Sequence, residues 1–319
     1  TYRRHPEIDE QELAPPVFIT GLPRSGTSIL FETLSRDRQF GAPANWEIMF
    51  PCPPPEATTY ATDPRITKAE HLLGQWNRVT PTFPALHEIG ARIPHECAVA
   101  MCCTFASDTL PVSYQIPGYY TWLLGADLTP AYAYYRRMLK LLQWRNPRRH
   151  WLLKSPAHTQ YLPVLFAVFP EATVVLTHRD PIRAQASVTS LIGTMYWMRS
   201  DKPFDAASFE RLLTPEAIAA GLEHVIGQIE SGTVPRDRIH DFQFADLLAD
   251  PATALAALYG RLGLALDESA RAAMAAYLAA KPKGKFGIHS YDIGDPARIA
   301  RERKIFHRYQ QYHHVPNET

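Results

Sequence analysis

An eight-residue stretch, Gly21-Leu22-Pro23-Arg24-Ser25-Gly26-Thr27-Ser28, has the glycine spacing of a phosphate-binding loop and follows the apolar residues 17–20. In the nucleotide triphosphatase pattern G-x-x-x-x-G-K-[ST], a lysine reaches the β- and γ-phosphates. Thr27 stands at that lysine position here, and the cation in the loop is Arg24. Backbone N–H groups and the start of the next helix could still hold a phosphate. The stretch therefore predicts a nucleotide with a single phosphate at this point and group transfer other than ATP hydrolysis.

Two further cations stand where apolar runs end. Lys154 closes the run 151–154, and Arg179 lies just after the run 173–177. Ligands of open α/β sheets bind in the crevice beyond the carboxyl ends of the strands. Lys154 and Arg179 are therefore predicted to converge with Arg24 on one anion.

The elements that would position these cations alternate between short β-type runs and helical stretches. This order predicts a parallel sheet with crossover helices. We expect an α/β fold with a P-loop-like central parallel sheet flanked by helices, in a single domain that spans residues 1–319. Between residues 43 and 149 the β pattern is absent and aromatic residues are frequent. That segment predicts a mostly helical and looped insertion that forms the acceptor pocket. The candidate strands are the runs 17–20, 151–154, 173–177 and 238–244.

Composition excludes several classes of protein. The chain has 319 residues, 46% of them hydrophobic and 20% charged, with a formal net charge of +1. This balance is typical of a globular protein with a large core and argues against broad electrostatic binding to nucleic acid or membrane. The 4 cysteines do not form a disulfide scaffold pattern in a chain of this length, and no apolar run is long enough to span a bilayer. We expect a cytoplasmic protein with no stable membrane insertion and no signal-peptide core.

With these residues in view, the chain resembles the sulfotransferases that use 3′-phosphoadenosine-5′-phosphosulfate (PAPS), and their bacterial branch most of all. The loop is similar to the family's 5′-phosphosulfate loop, P-[KR]-[ST]-G-[ST]-[ST]. Arg179 with Ser187 resembles the family's 3′-phosphate motif, in which a serine follows the arginine by eight residues. The resemblance assigns cofactor contacts in the loop to Pro23, Arg24, Ser25, Gly26, Thr27 and Ser28.

The same resemblance implies three further contacts. Lys154 is similar to the family's lysine after the central strand, which contacts the transferred group. Phe244 stands where relatives carry a tyrosine in a Y-E-D-L segment, which implies an adenine contact. Lys283, Gly284 and Lys285 resemble the basic, glycine-containing loop that closes over the 3′-phosphate. Arg24 and Lys154 are then expected to offset the charge that builds on the bridging oxygen.

The residue that takes the acceptor's proton stays open between several candidates. Glu47 is the first choice, because some relatives place a catalytic glutamate shortly after the loop helix. His158 is the second, four residues after Lys154, where the cytosolic branch has its histidine two residues after the lysine. His95 and Glu96 form a third option. A catalytic base needs a pKa tuned by burial or by neighbouring groups, which the sequence does not show.

The function that these motifs support is transfer of a sulfuryl group from PAPS to a hydroxyl of a small or lipid-like acceptor. The product of the donor would be 3′,5′-adenosine bisphosphate. The alternatives are an ATP-dependent small-molecule kinase and a non-catalytic nucleotide-binding protein. The cysteines form no C-x-x-C pair, so we expect no metal site. The identity of the acceptor and the formation of a homo-oligomer stay open.

Overall fold

The computed structural model describes residues 1–209, 213–282, 285 and 292–318. Its centre is a parallel sheet in the order β2-β3-β1-β4-β5. All neighbouring strands in it pair in parallel. The strands are β1 (Pro16–Gly21), β2 (Phe40–Gly41), β3 (His150–Lys154), β4 (Thr173–His178) and β5 (Ile239–Gln243).

This architecture confirms the predicted α/β fold class. The four candidate strands of the sequence are present, each within one residue of the predicted bounds. The sequence pattern missed β2, because two residues are too few to show a strand periodicity. β2 forms the edge next to β3, where Phe40 pairs with His150.

Helices cover both faces of the sheet. Before β3 they are α1 (Thr27–Leu34), α2 (Asn45–Met49), α3 (Pro64–Val79), α4 (Phe83–Leu86), α5 (Cys97–Met101), α6 (Thr109–Ser113), α7 (Pro117–Leu124) and α8 (Thr129–Gln143). After β3 they are α9 (Leu162–Val168), α10 (Pro181–Trp197), α11 (Pro215–Glu230), α12 (Phe244–Ala249), α13 (Pro251–Leu262), α14 (Glu268–Ala280), α15 (Pro296–Ile305) and α16 (His307–Tyr312). Within the described residues, no helix combines the length and the apolar character needed to cross a bilayer.

The alternation of side chains along β1 decides which helices pack on which face. Val17 and Ile19 belong to the same buried cluster as Phe31 of α1. Phe18 points to the opposite face, into a cluster that includes Tyr132 of α8. All residues of β1 are buried, as expected for the central strand of a parallel sheet. The packing thus holds the ends of the strands in place, and with them the backbone that carries the side chains beyond the sheet.

Candidate active site

The predicted phosphate loop connects β1 to α1, and its backbone has the form that the glycine spacing requires. Gly26 is the N-cap of α1 and has a φ of 90°. A Cβ atom at this position would lie 2.2 Å from the ring of Phe244. Arg24 also has a positive φ, 70°, which is uncommon for a residue with a side chain and is often found at functional sites. The first N–H groups of α1 lack acceptors within the helix and face the loop.

The Arg24 side chain joins the loop to two other segments. Its Nε donates to the hydroxyl of Ser187 on α10 at 3.0 Å. One terminal nitrogen donates to the Leu86 carbonyl at 2.9 Å. The Arg24 carbonyl, turned by the positive φ, accepts from Arg179 at 3.2 Å. The residues expected to hold the two phosphates of one nucleotide are therefore in direct contact.

Arg179 follows β4 and lies over the ring of Phe244, with its guanidinium carbon 4.9 Å from the ring centre. The two residues come from adjacent parallel strands, β4 and β5, whose ends meet at the same edge of the sheet. Arg179 also forms a two-pronged ion pair with the Glu318 carboxylate. A cation and an aromatic face thus lie side by side next to the loop.

Lys154 ends β3 and is buried at the start of α1. Its ammonium lies 3.2 Å from Ser28 Oγ and 2.5 Å from the Glu96 carboxylate. Glu96 lines a cavity of about 340 Å³ at this edge of the sheet. The cavity is lined by Pro23, Arg24, Gly26, Thr27, Ser28, Ile29, Glu32, Pro84, Ala85, Leu86, His87, Glu88, Glu96, Pro156, Arg179, Leu191, Phe244, Lys281, Pro282 and Lys285.

Electrostatics favour the charged form of Glu96 in this pair. Desolvation is the largest single effect on Glu96 and would raise its pKa, but the charge and hydrogen bond of Lys154, together with His87 and His95, lower that pKa to about 2. Desolvation lowers the pKa of His87 to about 3 and that of His95 to about 4, and the Lys154 charge acts in the same direction. At neutral pH Glu96 is therefore ionised, and the imidazoles of His87 and His95 are neutral.

Glu47 does not line this cavity. Its side chain is fully buried, and both carboxylate oxygens are occupied. One oxygen accepts from Arg148 at 2.8 Å, and the other accepts from Tyr60 at 2.7 Å and from the backbone N–H of Ala44 at 2.9 Å. The structure thus gives Glu47 an anchoring position at the start of α2.

The anchoring of α2 in turn holds the segment that carries Glu96. Asn45 and Trp46 donate their backbone N–H groups to the carbonyls of Ile93 and Ala91. Ala44 forms an isolated antiparallel bridge with Pro94, two residues before Glu96. The distance in sequence between Glu47 and Glu96 hides this connection, which exists only because residues 91–95 return to pair with α2.

His158 lies on the face of the sheet opposite to Lys154. It is buried against the ring of Phe18, and its Nδ1 is 2.7 Å from the hydroxyl of Tyr132. Its Nε2 is buried without a hydrogen-bond partner among the described residues. Burial lowers the pKa of His158 to about 3. The structure does not bring this imidazole to the cavity, because the turn after Lys154 directs it into the core.

Ser25 has its side chain in the core as well. Its hydroxyl is 2.6 Å from that of Thr177 on β4, and its N–H group closes a turn with the Leu22 carbonyl. Of the late basic loop, Lys283 and Gly284 lie outside the described residues, whereas Lys285 lines the cavity. Lys281 lines it too and contacts Glu32 and, at 2.9 Å, Glu88.

A group of potential metal ligands lies beside the site, formed by His178, Asp241 and His313. Both imidazoles are within hydrogen-bond distance of the same Asp241 oxygen, at 2.8 and 3.1 Å. The two rings are stacked, with centres 4.1 Å apart and planes 25° apart. Arg236 contacts the other oxygen of Asp241 at 2.5 Å. The arrangement is a hydrogen-bonded network that joins β4 and β5 to residue 313.

Sequence reasoning left several residues of the cavity without a role. Glu96 was one of four options for the base, and the signal that distinguishes it, contact with Lys154, is tertiary. Leu86, His87 and Glu88 lie in a segment with no motif, and Lys281 stands at the edge of the basic stretch. No sequence pattern indicates that Arg179 pairs with Glu318, because the two residues are more than 130 positions apart.

Comparisons with known proteins agree with this geometry. A family model described as "Sulfotransferase family" matches residues 15–268. The chain is 24% identical, over 95% of its length and 76% of the relative's, to an omega-hydroxy-beta-dihydromenaquinone-9 sulfotransferase, Stf3, of Mycobacterium bovis. The solved sulfotransferase STF9 of Mycobacterium avium has the same fold, with a TM-score of 0.81 at 23% identity over 99% of this chain and 81% of that one.

The sulfotransferase STF1 of Mycobacterium tuberculosis H37Rv matches with a TM-score of 0.79 at 27% identity, over 96% of this chain and 80% of that one. The family model covers well over half of the chain, and both structures extend the fold across nearly all of it. The resemblance seen in the sequence is thus confirmed, and the chain belongs to the sulfotransferase family.

Proposed function

We propose that this sulfotransferase moves a sulfuryl group from PAPS to the hydroxyl of a lipid-like acceptor, with Glu96 as the base. The observation that carries the proposal is the position of Lys154. Its ammonium contacts Ser28 of the phosphate loop on one side and the Glu96 carboxylate on the other. One buried cation thus connects the loop that would hold the donor with the group that would take a proton.

The donor side of the cavity supplies anion-binding groups. The first turn of α1 and Arg24 suit the 5′-phosphosulfate, since a helix N-terminus and a guanidinium both stabilise negative charge. Arg179, which touches the Arg24 carbonyl, suits the 3′-phosphate. Phe244 offers a ring face for the adenine beside Arg179. Lys285 lines the same cavity and would add positive charge.

The acceptor side combines the carboxylate with an apolar wall. Leu86 and Leu191 line the cavity and continue into a buried cluster with Phe83 and Met195. Such a wall favours a hydroxyl carried by an apolar body over a free sugar or nucleotide. The relative named as a dihydromenaquinone sulfotransferase supports the same class of acceptor.

In the reaction, the acceptor oxygen forms a new bond to sulfur while the bond between sulfur and the bridging phosphate oxygen breaks. The hydroxyl proton passes to the Glu96 carboxylate. Lys154 and Arg24 offset the negative charge that develops on the bridging oxygen of the departing bisphosphate. As Lys154 turns toward that charge, its effect on Glu96 weakens, so the pKa of Glu96 rises and the carboxylate becomes a better base.

The test measures donor binding and transfer separately in two matched glutamate variants. Calorimetry gives the Kd for 3′,5′-adenosine bisphosphate, and mass spectrometry follows sulfation of a long-chain primary alcohol by PAPS. We expect Glu96→Gln to lower kcat by about 10²-fold or more while the bisphosphate Kd changes little, because loss of a general base costs roughly 10²–10⁴-fold. Glu47→Gln should keep kcat per folded molecule and lower the stability, since it breaks a buried ion pair.

Two results would contradict the proposal at different levels. Absence of bisphosphate binding by the wild type, or of sulfated product from any hydroxyl acceptor, would exclude the PAPS-dependent reaction. If Glu96→Gln retains transfer and Glu47→Gln loses it, the reaction stands but the assignment of the base is wrong.

A further inference from the structure

Residues 313–318 lie over the carboxyl ends of β4 and β5, beside the proposed 3′-phosphate site. Gln243, the last residue of β5, donates to the His313 carbonyl at 2.6 Å. The His313 imidazole contacts Asp241 at 3.1 Å and stacks on His178. Gln310 of α16 donates to the Asn317 side chain at 2.9 Å. The segment is therefore held in a defined position on the sheet edge.

The backbone of Glu318 is fixed on the turn that begins α10. Its N–H group donates to Asp180 at 2.8 Å, and its carbonyl accepts from Arg183 at 3.3 Å. Asp180 is buried and paired with Arg303 of α15, so the anchor of the segment is itself rigid. These contacts place the Glu318 side chain next to Arg179.

The Glu318 carboxylate uses the donors of Arg179 that a phosphate would use. Arg179 Nε donates to both carboxylate oxygens, at 2.9 and 3.1 Å, and NH2 donates to one of them at 2.9 Å. Arginine binds carboxylate and phosphate through the same planar fork of donors, so one anion excludes the other from it. Both partners are mostly buried, with side-chain exposures of 19% and 25%, so solvent screens the pair only partly.

Arg183 also indicates that the position of the Glu318 carboxylate suits an anion with more acceptor oxygens than a carboxylate has. Its Nε is buried and has no acceptor among the described residues. Arg183 lies in the first turn of α10, four residues after Arg179, and already contacts the Glu318 carbonyl through its NH2 group. A phosphate in place of the carboxylate would offer the additional oxygen that this donor lacks.

We propose that Glu318 is an internal competitor for the 3′-phosphate, which must displace its carboxylate from Arg179 before the nucleotide is fully bound. The inference rests on the proposed function, since it concerns regulation of the same donor site. This competition makes the affinity for the nucleotide depend on the fraction of molecules in which Arg179 is not paired with Glu318. The apparent Kd is the intrinsic Kd divided by that fraction.

The experiment compares two ligands in the full chain by calorimetry. One ligand is 3′,5′-adenosine bisphosphate, and the other is adenosine 5′-phosphosulfate, which has no 3′-phosphate. Glu318→Gln removes the charge and keeps the shape, and we expect it to tighten bisphosphate binding by about tenfold if roughly a tenth of wild-type molecules have Arg179 released. The Kd of Glu318→Gln for adenosine 5′-phosphosulfate should stay within about twofold of the wild-type value. Glu230→Gln is the matched control, because Glu230 forms an exposed pair with Arg308 away from the site.

The outcomes separate the inference from the proposed function. An unchanged or weaker bisphosphate Kd in Glu318→Gln would overturn the inference, and so would an equal gain for adenosine 5′-phosphosulfate or the same gain in Glu230→Gln. If the wild type and both variants fail to bind the bisphosphate at all, the proposed donor is wrong instead. Thermal unfolding of each variant shows that the measured molecules are folded.

Discussion

At the scale of single residues, the site depends on which charges are buried together. Lys154 and Glu96 form an ion pair at the cavity, and Lys154 helps to lower the pKa of Glu96. Glu47 satisfies a different buried cation, Arg148, at the start of α2. Glu47, the first choice from the sequence, and Glu96, part of the third option, thus have different partners, and of the two only Glu96 lines the cavity.

His158 gives a pH prediction at the same scale. Its pKa is lowered from 6.5 to about 3 by burial, so between these values the unfolded chain binds a proton that the folded chain does not. Stability should therefore fall as the pH is lowered from 6.5 toward 3, by up to about 1.4 kcal/mol per pH unit from this group. We expect His158→Asn, which keeps a polar atom near Tyr132, to reduce this slope by that amount in urea unfolding followed by circular dichroism.

The comparison at pH 8 is the internal control, because His158 is neutral there in both states and only packing differs between the variant and the wild type. An identical slope in the two proteins from pH 6.5 to 4 would mean that the imidazole is not held neutral in the core.

At the scale of elements, the loop and α1 form one unit with the start of α12. Gly26 turns the chain with a positive φ directly against the ring of Phe244. The N-terminal end of α1 and the proposed adenine contact are therefore packed on each other. Glycine is needed at position 26 because α1 and α12, which are far apart in the sequence, approach each other closely there.

We expect Gly26→Ala to weaken bisphosphate binding at least about tenfold and to destabilise the fold by about 1–2 kcal/mol, because the new Cβ meets Phe244 and the φ is strained. The double variant Gly26→Ala with Phe244→Ala should recover part of the stability, since it removes the clash and leaves the strain. Calorimetry and thermal unfolding measure both effects.

The matched control for this prediction is Gly74→Ala in α3, where a new Cβ would meet nothing within 4 Å. Alanine in a helix interior should stabilise the protein by roughly 0.5–1 kcal/mol and leave binding unchanged. A similar loss of nucleotide affinity in both variants would show that the loop geometry is not responsible.

At the scale of the whole molecule, the cavity lies between the edge of the sheet and the helices of residues 45–143. Lys281, just after α14, contacts Glu32 on α1 and Glu88 in the segment between α4 and α5. Arg24 reaches the same segment through the Leu86 carbonyl. The segment 86–88 is thus tied to the loop and, through Lys281, to α1, and its residue Leu86 lines the cavity.

A prediction about the acceptor follows from the position of Leu191 in α10. We expect Leu191→Ala to raise KM for a long-chain alcohol by about five- to thirtyfold, because each buried methylene contributes about 0.8 kcal/mol, and to leave KM for a short-chain alcohol unchanged. Steady-state kinetics at saturating PAPS measure both. Leu248→Ala, at an exposed leucine of α12, is the control and should change neither value. If Leu191→Ala changed KM equally for short and long alcohols, the apolar chain of the acceptor would not contact Leu191.

Much of the fold could be read from local patterns. The apolar runs predicted β1, β3 and β4 within one residue, because buried strands of a parallel sheet are short and continuously apolar. The fourth candidate strand, 238–244, predicted β5 equally closely. The loop and Arg179 could be recognised because glycine spacing and strand ends are local features, whereas Ser187 came from the resemblance to the family's 3′-phosphate motif. β2 escaped because it has two residues and takes its place only by pairing with β3.

The sequence by itself therefore determined the sheet, the phosphate loop and the cations at the strand ends. The tertiary structure alone decided which carboxylate meets Lys154, why Glu47 and His158 lie outside the cavity, and that Glu318 lies on Arg179. The physical reason is that backbone hydrogen bonding and apolar periodicity act between near neighbours in the chain. Charge pairing depends on distance in space and on burial, which the chain acquires only when segments such as residues 91–96 and 313–318 return to the sheet.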